Sequence, residues 1–113
     1  MVEKINQYEI WLADINPGRG SIPGKIRPVV VIQNNILNKS SDTTIICPIT
    51  SNTVAEVALL RLAIPQGQLD VNSDILIDHL RTIENKKLIK KLSRLNYEQI
   101  KKLKTGLQIV LDL

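Results

Sequence analysis

Three polar clusters stand at the ends of apolar runs in this 113-residue chain: Ser21 to Arg27 (SIPGKIR), Thr50 with Ser51 and Asn52, and Asp78 to Thr82 (DHLRT). Gathered at one rim of a folded domain, an arginine, a threonine, an aspartate and lysines suit one reaction. RNA carries its own nucleophile, the 2′-hydroxyl beside each phosphodiester. A protein that cuts it need only align that oxygen, stabilise the extra negative charge on the phosphorus oxygens and move two protons. A guanidinium meets the developing dianion with two parallel N–H groups, and a threonine hydroxyl can hold a phosphate oxygen. Other chemistries lack their residues, for the chain has no Ser-His-Asp spacing, no P-loop, no GxGxxG and no metal-ligand set. Spacing permits RNA cleavage without selecting it, because convergence of the clusters depends on the fold.

The elements that must position them can be read from periodicity. YEIWLA (residues 8–13) alternates, with Tyr8, Ile10 and Leu12 on one face and Glu9, Trp11 and Ala13 on the other, as a strand does. DINPGRGSIPGK (14–25) holds three glycines and two prolines and reads as a long loop of the kind that carries function. RPVVVIQ (27–33) is a strand covered on both faces with Pro28 at its beginning, closed by Asn34 and Asn35. After a polar turn at 39–42, TTIICPITS (43–51) is a further strand broken late by Pro48, and VALLRLAIP (57–65) a fourth. A turn-rich connector, QGQLDVNS, precedes DILIDHLRTI (74–83), which begins as a fifth strand, with Ile75 and Ile77 on one face and Leu76 and Asp78 on the other, and whose end the pattern leaves open. KKLIKKLSRL is either a short strand or irregular. Asn96 N-caps a helix with Gln99 placed to reach back, and Ile100, Leu103, Leu107 and Val110 follow at helical spacing. The sum is one domain, residues 1–113, mainly β with a C-terminal helix. Its five or six short, mostly antiparallel strands must curl into a small barrel, because the connections are too short for parallel crossovers.

Composition bounds the class. The chain is 43% hydrophobic and 23% charged, with no Phe and only Trp11, Tyr8 and Tyr97 as aromatics, so the core is aliphatic. Cys47 and His79 are the single cysteine and histidine, which excludes an internal disulfide and a protein-only tetrahedral zinc site and points to a reducing, cytoplasmic setting. The N-terminus lacks a signal-peptide layout, and no apolar run approaches the roughly 18 residues of a membrane span. Residues 1–83 hold seven Lys/Arg against eight Asp/Glu, while 84–113 hold eight against three, so the whole +4 excess lies in the last quarter. Such a region either attracts a polyanion or forms a solvated face.

The order EIWLADINPGRGSIPGKIRPVVVIQNN, TTIICPITS, DILIDHLRTIENKKL and LSRLNYEQIKKLKTGLQIVLDL resembles the MazF/PemK toxins of type II toxin–antitoxin systems over essentially the whole chain. The resemblance is carried most specifically by RPVVVIQN, PITS and RTI in that order. It implies an SH3-like barrel and a homodimeric, sequence-specific endoribonuclease that needs no metal or other cofactor. Such an enzyme cuts single-stranded RNA to 2′,3′-cyclic phosphate and 5′-hydroxyl ends and is silenced by a cognate acidic antitoxin. By the same resemblance Arg27 and Thr50 are catalytic, with Asp78 a base in some members. Arg19, Ser21, Lys25, Asn34, Ser51, His79 and Arg81 would bind RNA. Two departures stand out: Ile22 and Pro23 replace a usual acid and amide in the loop, and His79 stands where glutamine is common.

Plainer assignments accompany each of these. On these, Arg27 is a strand-edge cation paired with a carboxylate such as Asp78, Thr50 and Ser51 are a turn cap, and Arg81 is a structural lock on Asp78 and the dimer. His79 is either an acid/base group or a structural hydrogen-bonding residue. The gyrase poison CcdB shares the implied fold and acts by binding protein without cutting RNA, but the ending IVLDL lacks its terminal tryptophan and following residues.

Overall fold

Valine and isoleucine runs too short for helices set the architecture of the chain, a computed structural model of which describes residues 4–16, 25–53 and 60–113. The strands are β1 (Glu9–Asn16), β2 (Lys25–Val31), β3 (Thr43–Thr50), β4 (Arg61–Ile64), β5 (Ser73–Leu76), β6 (Arg81–Glu84) and β7 (Leu88–Arg94). Two helices accompany them, the single turn α1 (Asn35–Asn38) and the long α2 (Tyr97–Leu111). Strand pairing is antiparallel throughout, in the order β4-β5-β3-β2-β1-β7 with β6 also on β3. Among the described residues the mainly β fold with a C-terminal helix is thus present, as a sheet of seven strands rather than five or six.

The sheet curls at β3, which changes partner along its length. Thr43 to Ile46 pair with β6, whereas Ile49 and Thr50 pair with β5. Pro48, which has no N–H to give a ladder, falls in the gap between those partners, so the strand runs through it to Thr50 instead of breaking there. The same exchange divides residues 74–83. The strand expected to begin there is β5, and it ends in a 3-10 turn at Ile77–His79 that leads into β6.

Consecutive valines serve two cores. Val30 joins Ile10, Cys47, Ile49, Ile75 and Ile77 in the cluster beneath α2, while Val29 and Val31 join Trp11, Ala13, Ile46 and Ile83 on the opposite face. This is why β2 reads as an unbroken apolar run. The helix α2 begins at the expected capping box, in which the Asn96 side chain accepts from the Gln99 N–H and the Gln99 side chain accepts from the Asn96 N–H. Leu103 is fully buried against the first cluster, with Ile100, Leu107 and Val110 partly covered.

Other boundaries move for local reasons. Asp14 pairs with Ile26 and Asn16 with Lys25, so the ends expected to belong to the long loop extend the β1–β2 hairpin instead. Residues 17–24 lie outside the described residues, as do 57–59 at the start of the fourth run. Leu88–Arg94 is a strand, and Asn34, expected to close β2 and to bind RNA, caps α1.

One buried carboxylate anchors the start of β1. Glu9 accepts from the Asn6 N–H at 2.8 Å and from Trp11 Nε1 at 3.1 Å, and Lys91 Nζ stands 3.3 Å from its other oxygen. Burial pushes its pKa up, but these partners together outweigh burial and leave it below the ordinary value of 4.5. The resulting stabilisation is complete above that value and is lost as pH falls through the lowered one. Replacing Glu9 by Gln should therefore lower stability at neutral pH by about 1–3 kcal/mol. It should also flatten the acid limb of stability against pH, measured by urea melts from roughly pH 7 to pH 3.

Candidate active site

Arg27 sits where β2 leaves the core: Lys25 and Ile26 are exposed, Arg27 and Pro28 half-buried, and Val29 to Val31 sealed. Its ladder partner on β1 is Ala13, whose methyl group leaves space that a larger cross-strand neighbour would compete for. On the other side Val29 opposes Pro48, Val30 opposes Cys47 and Val31 opposes Ile46. The ladder ends at Val29–Pro48, and Arg27 and Thr50 lie two residues beyond it on their respective strands, at the same open end of the pair. Residues two apart on a strand have the same facing, so Arg27 follows Val29 and Thr50 follows Pro48.

The Thr50 hydroxyl oxygen accepts from the Asn52 N–H at 3.1 Å. With one lone pair engaged, the hydroxyl keeps its own proton for an acceptor elsewhere, so turn formation and phosphate binding are compatible. Arg61 fixes the segment that follows. Its Nη1 donates to the Asn52 carbonyl at 2.9 Å and lies 3.4 Å from Asp74 Oδ2, and Asp74 is the ladder partner of Thr50. Sequence reading missed Arg61 because it stands inside an apolar run with nothing to mark its reach.

A cavity of about 640 Å³ opens beside Arg27, Pro28, Ile49 and Ser51 and extends under Gln66–Val71 to Leu92. A larger one, about 920 Å³, lies between β4, β5 and α2; it takes in Arg61 and Asp74 but none of the expected site residues. Of the two, the smaller takes in expected site residues, Arg27 and Ser51, while Thr50 does not line it.

Asp78, His79 and Arg81 form a second group. Asp78 and His79 are exposed on the 3-10 turn, with His79 Nε2 3.7 Å from Asp78 Oδ1. Arg81 is exposed and opposes Ile46, four positions from Thr50 along β3 or about 13 Å at the rise of a strand. Among the described residues no ion pair joins Asp78 to Arg27 or to Arg81, so neither anticipated pairing is found. Asn34 lies beyond the far end of β2, its side chain accepting from the Leu37 N–H at 3.0 Å. Lys25 is exposed opposite Asn16, while Arg19 and Ser21 fall outside the described residues. Among the described residues no three His, Cys, Asp or Glu gather in a way that could hold a metal ion, and no helix is long and apolar enough to cross a membrane.

Residues 6–111 match the model of the PemK-like, MazF-like toxin of type II toxin–antitoxin systems. The chain belongs to this family. It is 36% identical over 107 residues to the endoribonuclease MazF of Staphylococcus saprophyticus, a match covering 93% of this chain and 89% of that protein. In fold it is similar to MazF in the MazE–MazF complex of Deinococcus radiodurans, with TM-score 0.85, 17% identity, and 99% of each chain covered. It is also similar to a mycobacterial endoribonuclease in complex with its cognate antitoxin, with TM-score 0.78, 18% identity, and 96% of each chain covered.

Within this PemK/MazF chain Cys47 is inert packing. Burial first, and the nearby Asp78 charge second, push its thiol up to about 12. A thiol reagent should consequently leave the native protein unmodified near neutral pH and react at once in denaturant. Arg61→Ala should lower RNA cleavage by about tenfold through a loosened Thr50–Asn52 segment while the far-UV spectrum is preserved. An unchanged rate would show that the clamp does not position Thr50.

Proposed function

We propose that the chain is an endoribonuclease toxin that cuts single-stranded RNA at preferred sequences without a metal ion. It acts as a homodimer in the cytoplasm and is silenced by an acidic antitoxin. The observation that supports this reading most directly is that β2 and β3 pair up to Val29–Pro48, so that Arg27 and Thr50 each lie two residues past the same end of the ladder, with Arg27 lining an open cavity.

The reaction follows from what these groups can give. The 2′-oxygen attacks the neighbouring phosphorus, the bond to the 5′-oxygen breaks, and the products carry a 2′,3′-cyclic phosphate and a 5′-hydroxyl. Arg27 supplies paired N–H donors and a full positive charge to the non-bridging oxygens as their charge grows. Thr50 donates its free O–H to one of them. The 2′-hydroxyl proton must pass to a base and the leaving oxygen must receive one. Asp78 is the candidate base and His79, its neighbour, the candidate partner in proton transfer. The lysines of the last quarter raise the local concentration of RNA and of an acidic antitoxin. The relatives seen with MazE or a cognate antitoxin support the partner class.

Purified protein incubated with RNA in EDTA should cut at defined positions. Arg27→Ala should slow cutting by about 10²–10³ with the fold intact, and Arg27→Lys should recover only part of the rate, since it restores charge but not the fork. Specific cutting by a folded Arg27→Ala protein at the original rate would overturn the assignment.

A further inference from the structure

The cavity beside Arg27 contains more than phosphate chemistry needs. At about 640 Å³ it lies within the roughly 300–1,000 Å³ of small-ligand sites. Away from Arg27 its wall is apolar, formed by Pro28, Ile49, Leu69, Val71 and Leu92, and its polar margin includes Gln66 and Asp70. A carboxylate repels a phosphate, so Asp70 is misplaced in a site for backbone alone. A nucleobase uses both features, because its faces stack on apolar surface and its edge presents N–H donors.

The wall and its margin are held in place. Ile10 opposes Ser93 and Trp11 opposes Lys91, which leaves Leu92 unopposed as a bulge. A bulge re-aims the side chain it carries, and Leu92, 38% exposed, lines the cavity from the sheet's edge strand. Val71 is 51% exposed beside it. The connector between β4 and β5 is pinned at Gln68, whose amide donates to the Arg94 carbonyl at 3.0 Å and exchanges hydrogen bonds with Gln99 at 2.7 and 2.8 Å. Gln99 in turn belongs to the capping box of α2. Gly67 adopts φ +113°, a conformation open to glycine, and donates its N–H to the Leu69 carbonyl at 2.9 Å. Gln68 is thereby consumed by structure. Among the described residues nothing engages the side chains of Gln66 and Asp70.

We propose that this cavity is a nucleobase pocket: the base of a nucleotide flanking the cut stacks on Val71 and Leu92, and Asp70 and Gln66 read its amino-bearing edge. The pocket rests on the RNA-cleaving reading and supplies part of its sequence preference. An ionised carboxylate only accepts, so it favours adenine, cytosine or guanine, each of which offers an exocyclic amino group. Uracil flanks its single ring N–H with two carbonyl oxygens, which the carboxylate repels.

The test is a randomised single-stranded RNA pool cut by wild type, Asp70→Asn and Gln66→Ala, with the new 5′-hydroxyl ends sequenced and folding checked by circular dichroism. Wild type should exclude uridine at one position beside the cut. Asp70→Asn, whose carboxamide also donates, should relax that exclusion by about tenfold, and Gln66→Ala should relax it at the same position. Should Asp70→Asn fail to fold, Gln66→Ala carries the comparison. Variant profiles identical to wild type, with cutting retained, would overturn the pocket and leave the proposed activity standing. Loss of all cutting by a folded Asp70→Asn protein would also overturn it, by placing Asp70 in the chemistry. No cutting by wild type would overturn both.

Discussion

Everything at the candidate site depends on one register, that of β2 against β3. Val29, Val30 and Val31 have no exposed surface, and they are divided between two cores. A slip of one residue would turn each valine to the wrong face and exchange Val30 with its neighbours in both clusters at once. With about 1.5–3 kcal/mol at stake for each such side chain, the register is determined by burial alone. Arg27 needs no partner of its own to be placed. It is carried to the open end of the β2–β3 pair by the three residues that follow Pro28, which is how a half-buried guanidinium can remain available for a ligand.

The same strand organises the rest. Because β3 passes from β6 to β5 at Pro48, the chain between those partners must fold into a short turn, and that turn carries Asp78 and His79. Because Thr50 pairs with Asp74, Arg61 can brace the residues after Thr50 through the Asp74 carboxylate and the Asn52 carbonyl. Positioning is therefore rigid around Arg27 and Thr50, while the proton-transfer candidates stand on an exposed turn.

Much of this was legible in sequence, and the failures have physical causes. The β2 run, the capping box at Asn96 and Gln99, and the alternation of YEIWLA are local patterns, and each survives folding. The family resemblance was carried by collinear motifs, and residues 6–111 bear it out. What was lost was non-local. The division of residues 74–83 follows from the partner change on a distant strand, and the reach of Arg61 appears only once β4 lies against β5. Leu92 is an ordinary leucine in a lysine-rich segment until the bulge against β1 turns it toward the cavity. Asn34, which the resemblance names with Arg27, lies past the other end of β2, where its side chain caps α1.

The account is tested most directly at the nucleophile. A short RNA cut by the protein in EDTA is made again with a single 2′-deoxynucleotide on the 5′ side of the scissile bond. Attack by the substrate's own oxygen, with Arg27 stabilising the phosphate, predicts that cutting at that bond stops and that the unmodified RNA yields a 2′,3′-cyclic phosphate. Continued cutting at the deoxy position would contradict it.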